Sequence, residues 1–190
     1  MKLKELIDIN PVNPKYRLPN SIWYIDTASV FDGTLTNIQF LNNNFPSRAQ
    51  RKLELHDILI SSVRPNLKHN YYVLNVPDNA VASTGFIHIR VKKNSDIDPH
   101  FLYYWLTSPS KIKYYCSIAD CSQSAYPSFT KDVLESLDFP SISIFAQHSI
   151  TNTIPYSIFI LPKFSIICLS NSAPSAVKAL YSCLKASNLV

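Results

Sequence analysis

The sequence has few glycines, no long apolar run and no leader-like start. Only two glycines occur among 190 residues, so turns that need a positive φ must be few or must be made by the many asparagines. No stretch approaches the roughly 18 to 20 uninterrupted apolar residues of a membrane span. Lys2, Lys4 and Glu5 interrupt any apolar signal segment. These absences predict a cytoplasmic protein.

Cysteines are few and are not arranged for metal binding. The four are Cys116, Cys121, Cys168 and Cys183. Their spacing matches no ordinary zinc pattern. We therefore expect buried, reduced thiols and no metal site.

Catalytic motifs are absent as well. The sequence contains no P-loop and no glycine-flanked nucleophilic serine. The nearest approach to the Asn-Pro-Pro-Tyr loop of an amino-methyltransferase is Asn13-Pro14-Lys15-Tyr16, which lacks the second proline. The segment His88-Ile89-Arg90 offers no acid to hold magnesium, as a nuclease of the PD-(D/E)xK type requires. We expect a non-catalytic protein without a cofactor.

Positive charge is concentrated in residues 47–93. This segment holds eight basic and three acidic residues, and the resulting surplus of +5 equals the net charge of the whole chain. The basic residues are Arg48, Arg51, Lys52, Arg64, Lys68, Arg90, Lys92 and Lys93. Such a surplus favours phosphate binding, because each neutralised phosphate releases counterions. A solvated face, an RNA-binding face and a face for an acidic protein are alternatives.

Residue patterns predict strands in the first half of the chain and short helices in the second. The predicted strands are 22–26, 71–76 and 86–91, together with a buried strand around the apolar run 58–60 that is entered from Asp57, and a turn is predicted at 31–34. Asp98-Pro99 and Ser108-Pro109 each predict a helix start with an N-cap residue followed by proline. Thr130 predicts the start of a shorter helix that ends by Pro140. Aromatic residues between 101 and 115 are expected in the core rather than on a base-stacking surface.

Several motifs stand in an order that resembles one protein family. They are YIDTASVFDG at 24–33, SRAQR at 47–51, DILIS at 57–61, SVRPN at 62–66, ASTGF at 82–86, DPHFLYYWL at 98–106 and YPS at 126–128. Together they resemble the target-recognition domain of the specificity (S) subunit of type I restriction-modification systems. The resemblance covers roughly residues 2–154. One departure is His56-Asp57 where that family usually has Gly-Asp, so we expect a non-glycine conformation or a rebuilt turn there.

The resemblance implies both a fold class and a function. The fold class is α/β (α+β), a compact domain with a mixed, mostly β core and flanking short helices, followed by the start of a truncated connector helix. The implied function is recognition of one half of a bipartite sequence in duplex DNA, without catalysis. The implied partners are methyltransferase (M) subunits, restriction (R) subunits and a second half-subunit.

The expected DNA-binding residues follow from the charge and from the resemblance. They are Arg48, Arg51, Lys52, Arg64, Asn66, Lys68 and His69, with Ser83 and Thr84 as lesser candidates. Arginine can pair with guanine edges, asparagine with adenine and lysine with phosphates. Arg64 and Asn66 lie in a motif shared by domains that read different sequences, so they are expected to build a loop. The base readers are expected among Lys68, His69 and Asn70.

Three segments are expected along the chain. Residues 1–140 form the recognition domain, and residues 141–154 begin the connector helix. From Phe139 onward the sequence contains no aspartate or glutamate, and residues 155–190 resemble no part of the family. We expect this apolar tail to be foreign or out of frame, so that the chain is a truncated half-subunit.

Overall fold

Strands and helices follow one another in the α+β order that the sequence predicts. The computed structural model describes residues 1–12, 16–121 and 125–153. The strands in these ranges are β1 Ile7–Ile9, β2 Ser21–Ile25, β3 Val30–Phe31, β4 Thr34–Leu35, β5 Gln39–Asn42, β6 Ala49–Lys52, β7 Ile58–Ser61, β8 Asn70–Tyr72, β9 Ala80–Ser83 and β10 Phe86–Val91. The helices are α1 Pro99–Leu106, α2 Pro109–Asp120, α3 Lys131–Glu135 and α4 Ile144–Thr153. None of these helices is long and apolar enough to cross a membrane.

Eight of these strands form two four-stranded sheets. The first sheet has the order β1-β10-β7-β8 and is antiparallel throughout. The second has the order β5-β2-β9-β6, in which only β2 and β9 pair in parallel. Strands β3 and β4 form a separate hairpin. Only Thr84 and Gly85 separate β9 from β10, so the chain passes directly from one sheet to the other at this turn.

Alternation along the strands creates two cores on opposite faces of the first sheet. Leu59 and Phe86 pack against Ile25 and Ala82 of the second sheet. Neighbouring residues in a strand point to opposite faces, and Ile58 accordingly belongs to the larger core, with α1 to α3. The molecule therefore has three layers, which are the helices, the first sheet and the second sheet.

Helices α1 to α3 begin where the sequence predicts, but only Asp98 of the three predicted N-cap residues makes a capping hydrogen bond in the described structure. The carboxylate of Asp98 accepts hydrogen bonds from the amides of His100 and Phe101 at 2.7 and 2.8 Å, which confirms the N-cap of α1. Ser108 precedes α2 as predicted, but its hydroxyl donates to the carbonyl of Trp105 and makes no capping bond in the described structure. The side chain of Thr130 likewise makes no capping hydrogen bond to α3 in the described structure. Helix α3 ends at Glu135, well before Pro140.

Most of the aromatic residues confirm the core prediction, whereas one cysteine contradicts the expectation for the thiols. Among the aromatic residues of α1 and α2, Phe101, Tyr103, Trp105 and Tyr115 are buried and Tyr104 is half-buried, but Tyr114 is exposed, so the core prediction is wrong for Tyr114. Cys116 is half-buried, but Cys121 is exposed at the end of α2, where the helix meets solvent. The expectation of buried thiols is therefore wrong for Cys121. Cys168 and Cys183, like the predicted tail 155–190, lie outside the described residues.

Non-glycine residues make most of the left-handed turns. In the described ranges the residues with positive φ other than glycine are Asn10, Asp32, Asn43, His56, Arg64 and Lys68. Asparagine accounts for two of them, and the others include residues that rarely adopt this conformation. His56 has φ 70°, so the turn before β7 keeps the left-handed conformation that favours glycine, and the expectation of a non-glycine conformation or a rebuilt turn is wrong.

Candidate nucleic-acid interface

Three loops meet at one end of the two sheets. Ala49, at the start of β6, pairs with Ser83 at the end of β9, and the Thr84 amide donates to the Arg48 carbonyl at 2.9 Å. In the first sheet Phe86, the first residue of β10, pairs with Ser61, the last residue of β7. Arg48, the 83–85 turn and the 62–69 loop that follows β7 therefore share this end, which we call the loop end.

The β3–β4 hairpin supports the 62–69 loop. The amides of Asp32 and Gly33 donate to the carbonyls of Lys68 and Asn70, both at 3.0 Å. His69 donates from Nδ1 to the carbonyl of Val30. The Nζ of Lys68 lies 3.8 Å from the Asp32 carboxylate, and the two side chains are 51% and 37% exposed. The loop is thus fixed through its backbone, while the Lys68 side chain extends into solvent.

Arg64 directly precedes a 3-10 turn, Pro65–Leu67, which contains Asn66 and packs against α2. The Arg64 amide donates to the carbonyl of Pro127 at 2.8 Å, and its guanidinium lies 5.1 Å from the centre of the Tyr126 ring. Arg64 has φ 49°. The side chains of Arg64 and Asn66 are both exposed. The backbone of this segment thus shapes the loop, and its two polar side chains are accessible at the surface.

The 83–85 turn is built for close packing. Ser83 is 3% exposed, and its hydroxyl accepts a hydrogen bond from the Gly85 amide at 3.1 Å. A Cβ at position 85 would lie 3.0 Å from the Cγ2 of Thr27, so glycine permits this approach of two loops. Thr84 is half-buried. Ser83 therefore holds the turn together and is not accessible to a ligand in this structure.

Arg51 and Lys52 lie away from the loop end. They pair with Ala82 and Val81, beyond an irregularity in β6 at Gln50. Both line a cleft between β6 and the segment that precedes β2. Burial lowers the pKa of the Arg51 guanidinium. The structure thus gathers seven of the nine predicted site residues at one end and places the other two in this cleft.

A buried ion pair was not identified from the sequence. The carboxylate of Asp57 accepts hydrogen bonds from Arg90 Nε and Nη2 at 2.8 and 2.7 Å, and His88 Nε2 lies 2.7 Å from it. Burial raises the pKa of the Asp57 carboxyl, but the bonds with Arg90 and His88 outweigh this effect and hold that pKa below its ordinary value. His88 is fully buried, so it is a core residue. The position of Asp57 directly before an apolar strand was the available signal.

Some of the positively charged side chains of residues 47–93 are held by partners within the protein, and others are exposed. Arg90 is committed to Asp57 and also pairs with Glu54 at 2.9 Å. Lys92 donates to the carbonyls of Lys4 and Glu5, both at 3.1 Å. The cations at the loop end are Arg48, Arg64 and Lys68, all exposed. Of the other basic residues of this segment, Arg51 and Lys52 line the cleft beside β6, and Lys93 is exposed beyond the end of β10.

Comparisons with known proteins agree on one family. A family model described as the type I restriction modification DNA specificity domain matches residues 1–154. The specificity subunit of the type I restriction enzyme HindI from Haemophilus influenzae is 31% identical over 120 residues, which is 63% of this chain and 26% of that protein. The chain thus spans about a quarter of the length of that relative.

Two solved structures have a similar fold. The crystal structure of the HsdS subunit from Thermoanaerobacter tengcongensis matches with a TM-score of 0.66 and 22% identity, over 80% of this chain and 40% of that one. A structure described as showing complex assembly and conformational transition of the type I R-M system matches with a TM-score of 0.64 and 20% identity, with the same coverage. At these identities the likeness concerns the fold alone.

Proposed function

We propose that this chain, which belongs to the family of type I restriction modification DNA specificity domains, binds duplex DNA and reads one half of a bipartite target sequence. The observation that carries the proposal is the loop end, where Arg48, Arg64, Asn66 and Lys68 expose polar side chains on loops fixed to two sheets. A rigid backbone with accessible donors is what sequence readout by hydrogen bonds requires.

The loop end supports a division of roles. The fixed backbone of Arg64 and Asn66 fits the role of shaping the loop. Lys68 is exposed next to Asp32 and is the principal candidate for a base contact. His69 is half-buried, and its Nδ1 donates a hydrogen bond to the Val30 carbonyl, so only Nε2 of its ring remains for a contact with DNA. Asn70 is buried, and its side chain accepts from the Ser61 amide at 3.3 Å, so it supports the loop and reads no base.

Partners are proposed on the basis of the family and of helix α4. Gln147 on α4 is buried against the segment before α1, which attaches α4 to that segment. We propose that α4 begins the connector that joins the domain to M and R subunits and to a second half-subunit, and that the chain itself performs no catalysis. Family membership also supports the cytoplasmic location expected from the sequence.

Selection from a pool of randomised DNA duplexes tests this function. The full chain would be incubated with the pool at about 50 and 200 mM salt, and the bound duplexes would be sequenced. We expect enrichment of one short motif of about three to five base pairs, with weaker binding at the higher salt. Single-stranded RNA serves as the comparison ligand. Preference for RNA, or binding without enrichment of any motif, would contradict the proposal.

A further inference from the structure

The cleft beside β6 contains two unsatisfied polar groups. It has a volume of about 360 Å³ and lies between β6 and residues of the segment before β2. Both the Nε of Arg51 and the hydroxyl of Tyr16 are buried and find no hydrogen-bond partner among the described residues. Buried polar groups are nearly always hydrogen-bonded in folded proteins. Both residues line the cleft, so a hydrogen-bond acceptor bound there would give each donor the partner that it lacks.

The side chains of the cleft are suited to a ligand that accepts hydrogen bonds. Arginine and lysine can only donate hydrogen bonds, and burial raises the pKa of the Tyr16 phenol, so its hydroxyl keeps its proton. Lys52 also lines the cleft, and its Nζ lies 4.8 Å from the centre of the Tyr16 ring. Glu54 also lines the cleft, but its carboxylate is paired with Arg90 at 2.9 Å. The unmatched charge in the cleft is therefore positive.

The opposite wall of the cleft is apolar. It includes Pro11, Val12 and Leu18, of which Val12 and Leu18 are exposed. A ligand that is anionic at one point and apolar beside it fits this combination. A phosphate attached to a sugar has that character, because its oxygens only accept hydrogen bonds and its deoxyribose carbons can contact the apolar wall.

We infer that this cleft binds a phosphate group of the DNA backbone, with Arg51 and Tyr16 donating hydrogen bonds and Lys52 adding charge. The inference rests on the proposed function, and it assigns to Arg51 a positioning contact in place of base readout. Arg48 lies three residues before Arg51, directly ahead of β6, at a separation of about 10 Å for extended backbone. A DNA strand that follows β6 from the loop end would therefore meet Arg48 first and the cleft next.

The salt dependence of DNA binding tests this assignment. Full chains carrying Arg51→Gln or Tyr16→Phe would be compared with the wild type for affinity at 50 and 200 mM salt, and thermal unfolding would show that each variant folds. Loss of one phosphate contact reduces the salt slope by about 0.9, so the ratio of the two dissociation constants should fall by about 3.5-fold for Arg51→Gln. Tyr16→Phe should weaken binding without changing the slope. The charge-matched control is Lys4→Gln, at an exposed position outside both surfaces.

Sequence selection and a phosphate titration distinguish a failure of this assignment from a failure of the proposed function. The enriched motif should be the same for Arg51→Gln and the wild type; a relaxed motif, or an unchanged salt slope, would overturn the assignment. If the wild type binds no duplex, the proposed function fails, and NMR of the Arg51 Nε–H signal then decides whether the cleft binds phosphate at all. A shift with inorganic phosphate alone would show a phosphate site for a ligand other than DNA, and no shift with either phosphate or duplex would overturn the inference.

Discussion

At the scale of single residues, Asp57 joins three parts of the chain. Its carboxylate accepts from the Glu54 amide at 2.7 Å, bonds to Arg90 on β10 and faces His88 Nε2. The Nδ1 of His88 finds no partner in the described part of the chain, which favours the tautomer with its proton on Nε2, facing Asp57. The same carboxylate therefore shapes the turn that carries His56 and attaches that turn to the first sheet.

Replacing Asp57 with asparagine should destabilise the fold. The amide keeps the size of the side chain but leaves Arg90 without its buried charge partner, so the free energy of unfolding should fall by about 3 kcal/mol. Urea denaturation measures this change. Asp78→Asn, at an exposed position, is the matched control and should change the free energy by no more than about 0.5 kcal/mol. Equal effects of the two substitutions would contradict the role of Asp57.

Acid should remove the contribution of Asp57. The pKa of this carboxyl is lowered in the folded state, so its contribution to stability is fully present above the unfolded pKa of about 3.9 and is lost as the pH falls through the folded pKa. The urea midpoint of the wild type should therefore decline below about pH 4 more steeply than that of Asp57→Asn. Parallel curves for the two proteins would show that the folded pKa is not lowered.

Lys68 is the residue at which base reading can be tested most directly. If its exposed amine contacts a base edge, Lys68→Ala should relax the selected motif at one position, by about 1 to 3 kcal/mol of discrimination. A phosphate contact would instead weaken binding equally for all sequences. Selection from the duplex pool separates the two, with Lys4→Ala as the control. Retention of both affinity and motif by Lys68→Ala would remove it from the interface.

At the scale of elements, Gln147 attaches α4 to the segment that precedes α1. Its side-chain oxygen accepts from the Asp98 amide at 3.0 Å, and its Nε2 donates to the carbonyls of Asp96 and Ile142 at 3.1 and 2.9 Å. His148, the next residue, lies 3.2 Å from the Asp98 carboxylate. The residue that caps α1 thus also holds α4, so the two helices are expected to move as a unit.

Gln147→Ala should loosen α4. The substitution leaves an amide and two carbonyls without their partner, which should lower the free energy of unfolding by about 2 kcal/mol. Amide hydrogen exchange in α4 should accelerate more than exchange in β7 or β10, because the loss is local. Asn152→Ala, at an exposed position of α4, serves as the control. Unchanged exchange in α4 would mean that other contacts hold this helix.

Prediction of the elements succeeded where local patterns are strong. The strand at 86–91 and the start of α1 follow from alternation and from Asp98-Pro99, and the structure confirms both. Strand β6 was not predicted, because Ala49–Lys52 is largely polar and has no apolar alternation. Its hydrogen bonds depend on β9, about 30 residues further along the chain. The strand predicted at 71–76 ends at Tyr72, since the Val73 amide turns to bond the Asp57 carbonyl.

At the scale of the whole molecule, the direct passage from β9 to β10 organises the surface. Because the two sheets join at this turn, loops that are far apart in sequence end at one surface. The hairpin at Asp32 and the loop at Lys68 are 36 residues apart and share backbone hydrogen bonds. A surface built from distant loops on a fixed scaffold allows the loops to vary while the scaffold stays constant.

The sequence by itself determined the family, through motifs whose order can be read without a fold, and it determined the helix starts, which depend on neighbouring residues. Only the tertiary structure decided that Arg48 and Arg51, three residues apart, face different surfaces, and that Arg90 is held by Asp57. The irregular pairing of β6 with β9 and the assembly of the strands into two sheets depend on segments that lie far apart in the sequence. Such interactions fix where each side chain points, and no local pattern in the chain encodes them.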